Sequence, residues 1–227
     1  MFLTTDYLDP DRQNTILNLD RVVLNILPKD YLSFLNEYGP GTYCNEVYIT
    51  YPDSRNIPLT FKDNTDLWEL HDEYNETDLL ESVQIGSTAN GDIICVTQNR
   101  KDKIFVLPRH SMEVASFKSF NDCIQALIPK DSEKYFDPLF DSRYEQISLI
   151  QSSKEQIDIF PIHEQFLQKF SFDMVINGTT QPKYFFRNFG GWITFDLIYK
   201  NGIYIKFQTR YSDNVSTVLD FLKNHLQ

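Results

Sequence analysis

The chain has 227 residues, and its 41% hydrophobic and 23% charged content is that of a folded protein rather than a disordered one. Its 32 acidic against 21 basic side chains leave a net charge of −11, which argues against nucleic acid and anionic lipid as partners and favours a basic one. No apolar run is long enough for a membrane span, residues 1–11 do not read as a secretory signal, and Cys44, Cys95 and Cys123 read as three reduced thiols of a cytoplasmic protein.

The first predicted element is a helix carrying Leu27, Tyr31, Phe34, Leu35 and Tyr38 on one face. Pro28 suits its first turn, and Gly39-Pro40-Gly41 ends it. Residues 43–51 read as a strand with Val47, Ile49 and Tyr51 alternating. Helical spacing returns over 64–74, where Leu67, Leu70, His71 and Tyr74 share one side and Asp66, Glu69, Glu73 and Glu76 the other. Three strands follow at 82–85, 92–97 and 103–107, the first two joined by the glycine- and asparagine-rich stretch from Gly86 to Gly91. A helix over 119–128, capped by Ser119, turns Phe120, Ile124, Leu127 and Ile128 inward.

Residues 129–145 read as a connector, dividing the chain into domains 1–129 and 130–227. In the second, strands are expected at 147–150 and 172–176, and a helix at 161–170 burying Ile162, Phe166 and Phe170. A hairpin of 192–199 with 203–211 turns at Lys200-Asn201-Gly202, since Asn-Gly suits a two-residue turn. A helix over 213–226, capped by Ser212, buries Val215, Val218, Leu219, Leu222 and Leu226. Both halves are therefore α+β, an antiparallel sheet packed by helices followed by a smaller α+β module. Tyr184, Phe185, Phe186 and Trp192 are either core rings or contact surface.

The charge is unevenly distributed. Residues 1–129 hold 20 acidic and 10 basic side chains, whereas residues 130–227 hold 12 and 11. Between Lys62 and Arg100 no basic residue occurs. Asp63, Asp66, Glu69, Asp72, Glu73 and Glu76 crowd the start of that interval, and they are the candidate partner-binding residues. A solvated helix face normally mixes signs, because like charges at helical spacing cost stability.

Motifs for chemistry are missing. The four histidines, His71, His110, His163 and His225, show no zinc spacing, and no nucleotide-binding glycine pattern or nucleophile elbow occurs. Neighbouring carboxylates such as Asp72 and Glu73 diverge on a helix instead of converging on a substrate. No catalytic residue, metal or cofactor is expected, and the function classes left are non-enzymatic.

Three segments carry a family resemblance. Leu27-Pro28-Lys29-Asp30-Tyr31 with Phe34 and Gly39 is similar to the opening helix of the SUKH superfamily. Ile85-Gly86, then Asn90-Gly91-Asp92 and the apolar run after it, resembles that family's glycine-turn and strand motif. Ala115-Ser116-Phe117 with Phe120 resembles its closing motif. The resemblance spans about residues 15–129. It implies an antiparallel sheet packed by helices and a binding role: the family includes the fungal cell-wall regulators Smi and Knr and many bacterial toxin-immunity proteins. It transfers no catalytic residue. The implied function is an immunity protein that neutralises a basic toxin domain, such as a nuclease, through its acidic surface. The other function it allows is a regulatory or scaffold protein binding endogenous partners.

Overall fold

Antiparallel strands and amphipathic helices make the chain α+β, and the computed structural model describes residues 1–71, 73–130, 133–150, 156–176 and 178–225. The chain divides into two units, Asp9–Pro138 and a discontinuous one formed by Met1–Leu8 with Leu139–Gln227. The division therefore does not fall at Pro129. The expected connector carries strands, and Met1–Leu8, with the short strand β1 (Phe2–Leu3), belongs to the C-terminal unit.

Unit Asp9–Pro138 opens with α1 (Arg12–Leu17), α2 (Arg21–Leu24) and α3 (Lys29–Tyr38). Pro28 is the N-cap of α3 and not part of its first turn; its carbonyl accepts from the Leu32 N–H at 3.0 Å. Gly39 ends the helix at φ 75°, with its N–H donating to the Leu35 carbonyl at 2.8 Å. Tyr31 and Leu35 are buried. The Tyr31 hydroxyl donates to the Thr50 carbonyl at 2.6 Å, and its ring meets Phe120 edge-on at 5.2 Å. Phe34 extends this layer to Phe120 and Phe136, at 5.8 and 5.0 Å.

The strand expected over 43–51 is instead a hairpin of β2 (Gly41–Tyr43) and β3 (Val47–Asp53). Cys44 and Asn45 turn it by taking φ of 52° and 60°, the left-handed conformation that tight hairpins need. After α4 (Asn56–Phe61), the helix expected over 64–74 is absent. A 3₁₀ turn at Thr65–Leu67 gives way to extended backbone at Trp68, and α5 (Glu76–Leu80) starts only at the capping box of Asn75 and Asp78. Tertiary burial overrides the helical spacing. Extended, Trp68 is 7% exposed, its indole N–H donates to the Pro108 carbonyl at 2.9 Å, and its ring packs on Phe61 at 4.9 Å. Tyr74 is likewise buried, with its hydroxyl 2.7 Å from Ser82 Oγ.

The remaining elements are β4 (Val83–Thr88), β5 (Ile93–Val96), β6 (Ile104–Leu107), β7 (Ala115–Phe117), α6 (Phe120–Leu127) and β8 (Tyr135–Pro138). Within this unit the strands run β8-β2-β3-β4-β5-β6-β7, each pair antiparallel. Gly86 is inside β4 and not in the turn: a Cβ there would stand 2.6 Å from the Tyr48 carbonyl oxygen of β3. The turn itself uses Gly91 at φ 89°. Asp92 holds it, accepting from the Thr88 hydroxyl at 2.8 Å and the Arg109 N–H at 2.9 Å. Phe117 pairs with Ile104 across β6 and β7, and Ser119 caps α6 by accepting from the Asp122 N–H at 3.0 Å. All four residues of β6 are buried, so both faces of the sheet are covered there. On one face Ile57, Trp68, Tyr74 and Leu79 pack with Cys95, Phe105 and Leu107.

In the C-terminal unit β9 (Ser142–Ser148), α7 (Ile159–Lys169), β10 (Met174–Ile176), β11 (Lys183–Phe186), β12 (Gly191–Phe195), β13 (Gly202–Gln208) and α8 (Ser212–Asn224) form the sheet β10-β11-β12-β13-β9 with helices on one face. Phe166 of α7 and Leu222 of α8 bury fully against Ile193, Phe195 and Ile203. Tyr184, Phe185 and Phe186 are core rings. The β12–β13 hairpin ends at Phe195 and restarts at Gly202, so Asn201 and Gly202 do not make a two-residue turn. Asp196 organises a longer loop: its carboxylate accepts from the Tyr199 N–H at 3.1 Å and its carbonyl from the Lys200 N–H at 2.9 Å. Ser212 is not the cap of α8. Tyr211 occupies that position without a side-chain bond, and the Ser212 hydroxyl donates to the Thr209 carbonyl. Leu226, expected to be buried by this helix, lies outside the described residues.

Candidate partner-binding surface

Because the 64–74 helix does not form, the carboxylates expected along one helical face are distributed differently. Asp63, Asp66, Glu69, Glu73 and Glu76 are all exposed, and Asp72 lies outside the described residues. They separate into two groups by their partners. Glu73 is tied down by Lys103, whose Nζ is 3.0 Å from Oε2, and that cation holds its carboxyl below the usual carboxylate range. Arg100 donates to the Glu73 carbonyl at 3.3 Å and lies 3.8 Å from the buried Asp78. Glu76 accepts from the Thr65 hydroxyl at 3.2 Å. The cations missing from the sequence interval thus return from the β5–β6 connection.

Asp63, Asp66 and Glu69 have no such neutralisation among the described residues. Extended backbone after Trp68 makes an isolated parallel bridge between Glu69 and Glu113, with the Glu69 N–H donating to the Met112 carbonyl at 2.9 Å. Two exposed acidic residues are therefore backbone bridge partners, a placement of like charges that disfavours the pairing.

These acids flank, along the chain, a cleft of about 360 Å³ lined by Phe61, Leu67, Trp68, Ile93 and Leu107, with Gly91, Pro108, Arg109 and Ser111 completing it. Its apolar floor is the cluster already described: Trp68 and Leu107 are buried, whereas Leu67 is 49% exposed at the margin. Arg109 is the one charged residue in the lining, and its side chain lies over Gly91, where a Cβ would come within 2.8 Å of Cδ. Ser111 Oγ accepts from the Glu113 N–H at 3.2 Å and so belongs to the turn. The cleft offers apolar surface and charge, suited to holding a side chain. A volume near the low end of ligand sites, ~300–1,000 Å³, admits one or two side chains and not a packed element.

The histidines do not converge on this cleft. His71, expected on an inner helical side, is exposed and bonded to Tyr74 through backbone alone. His163 Nε2 is 2.7 Å from the Tyr184 hydroxyl in the other unit, and burial lowers its pKa. Among the described residues no group of His, Cys, Asp or Glu could hold a metal ion, and no helix is long and apolar enough to cross a membrane.

Phe61, Trp68, Ile93 and Arg109 escaped the sequence reading. Of the lining, only Leu67 falls on the helical face that the spacing suggests; Trp68 lies off it, and Phe61, Ile93 and Arg109 come from other segments that only the folded chain brings together. The motif residues Pro28, Tyr31, Phe34, Gly39, Gly86, Gly91, Asp92, Phe117 and Phe120 serve caps, turns, strands and core layers. The chain matches no family model, no curated protein and no solved structure.

Proposed function

We propose that this chain is a non-catalytic, cytoplasmic binding module of the SUKH type that neutralises a cognate bacterial toxin by covering its basic catalytic domain, a nuclease being the chemistry that fits best. The observation that carries this reading is the exposed set Asp63, Asp66 and Glu69, unpaired among the described residues and set beside an apolar cleft. Enzymes that engage phosphate backbones present cationic clefts. A fixed carboxylate array steers such a cleft toward the module and competes with the polyanion for the same cations. Once docked, apolar contact slows dissociation, since steering acts mainly on the rate of arrival. The resemblance over residues about 15–129 supports the same role.

The test is to look for a toxin domain encoded beside this protein's gene and, with that domain purified, to titrate it by calorimetry and stopped flow. Tight binding with inhibition of the toxin is expected, and its absence removes the immunity reading. The triple variant Asp63→Lys, Asp66→Lys, Glu69→Lys is expected to slow association by at least about tenfold at low salt and to flatten its salt dependence. Glu73→Lys, whose carboxylate Lys103 already occupies, is expected to do much less. Equal effects per charge reversed, judged by comparing Asp66→Lys alone with Glu73→Lys, would mean that net charge alone acts.

A further inference from the structure

The cleft beside the unpaired carboxylates has a property that charge steering does not need, namely an apolar floor with an exposed margin. Leu67 stands 49% exposed between Asp66 and the buried Trp68, and Met112, also 49% exposed, precedes Glu113. Trp68 is fixed in place by its bond to Pro108 and its contact with Phe61, so the floor is preformed. We propose that this cleft receives one large apolar side chain of the protein partner, phenylalanine or leucine in type, from a segment whose neighbouring residues are lysine or arginine.

Two features select that occupant. The volume of about 360 Å³ is enough for a large ring or branched chain and too small for a packed element, so the partner's backbone stays outside. Charge complementarity chooses the flanks: Asp63, Asp66, Glu69 and Glu113 surround the lining residues along the chain, and the Glu69–Glu113 pairing is relieved by a cation placed between them. Arg109 repels a cation on its own side, so the partner's basic residues lie toward Asp66 and Glu69. Recognition is then a buried apolar anchor inside a charged rim, the pattern in which a few residues carry most of the affinity. This inference rests on the protein-binding reading above and specifies what that partner presents.

The experiment uses the full chain and three acetylated, amidated pentapeptides at low salt, followed by ¹⁵N and methyl NMR. The probes are Lys-Lys-Phe-Lys-Lys, the same peptide with Ala at its centre, and Glu-Glu-Phe-Glu-Glu. Saturable shifts at Leu67, Trp68, Ile93 and Leu107 are expected with the first, and affinity about tenfold weaker with either of the others, the loss expected for an unburied ring or a reversed rim. Leu67→Lys, at a half-exposed position where the fold tolerates it, is expected to abolish those shifts. Absence of shifts at the cleft, or equal affinity for all three peptides, overturns the proposal. No toxin enters this titration: its failure leaves the neutralising role standing, and a failed toxin titration leaves the cleft result intact.

Discussion

Single residues in this protein are constrained by close backbone approaches and by burial of groups that sequence marks only as small or polar. Gly86 is the sharpest case in the first unit, since a methyl group there would press on the Tyr48 carbonyl across β3 and β4. Gly86→Ala is expected to cost about 2 kcal/mol or more, read as a lowered urea midpoint at unchanged slope. Burial also governs the thiols. It pushes Cys95 up to about 11 and Cys123 up to about 12 from an ordinary 9.0. An acid whose pKa is raised by folding adds stability that is complete below its unfolded value and is lost as pH rises toward the folded one. The thiols' contribution to the melting temperature is therefore expected to be constant below about pH 9 and to be lost between there and about pH 12. All three cysteines are buried, so a thiol reagent such as Ellman's is expected to react slowly with the native chain and fully only in denaturant.

Among the elements, those set by local signals were legible in advance. Helix α6 begins after Ser119 because a serine cap and four well-spaced apolar residues are contiguous in the chain. Ser119→Ala should cost about 1 kcal/mol by thermal melting. Ser212→Ala should cost less than half as much, because that hydroxyl bonds a preceding carbonyl and caps nothing. Equal losses would mean that α8 starts where sequence alone places it. The segment 64–74 was misread for the opposite reason. Its conformation is chosen by Trp68 reaching Pro108 and by Tyr74 reaching Ser82, contacts that periodicity does not encode. The candidate surface was half visible: the acids could be read from composition, but Lys103 and Arg100 arrive from another connection, and the cleft exists only once β5 and β6 pair. Hairpin β12–β13 lies between these cases, with both strands evident and the loop set by Asp196, which no dipeptide rule includes.

For the whole molecule, the division into units contradicts the apparent break in composition. A fragment 9–138 keeps β8 on β2, whereas 1–129 strips it away with Tyr135 and Phe136, 2% and 0% exposed. The longer fragment is expected to melt cooperatively, and the shorter to melt lower or aggregate through the bared edge, as followed by circular dichroism and light scattering. In the other unit Thr5 donates to Gln208 Oε1 at 2.6 Å, and Gln208 Nε2 donates to the Tyr7 carbonyl at 2.7 Å, so residues 139–227 alone leave a buried amide without those partners. That closure joins positions 203 apart in sequence. On the ribosome Met1–Leu8 emerges well before its hydrogen-bonding partner, which is translated 203 residues after Thr5. At roughly 5–20 residues per second, the leading segment waits some ten to forty seconds for Gln208, while Asp9–Pro138 is already whole and free to fold. Vectorial synthesis thus orders assembly, with the acidic unit complete before the discontinuous one.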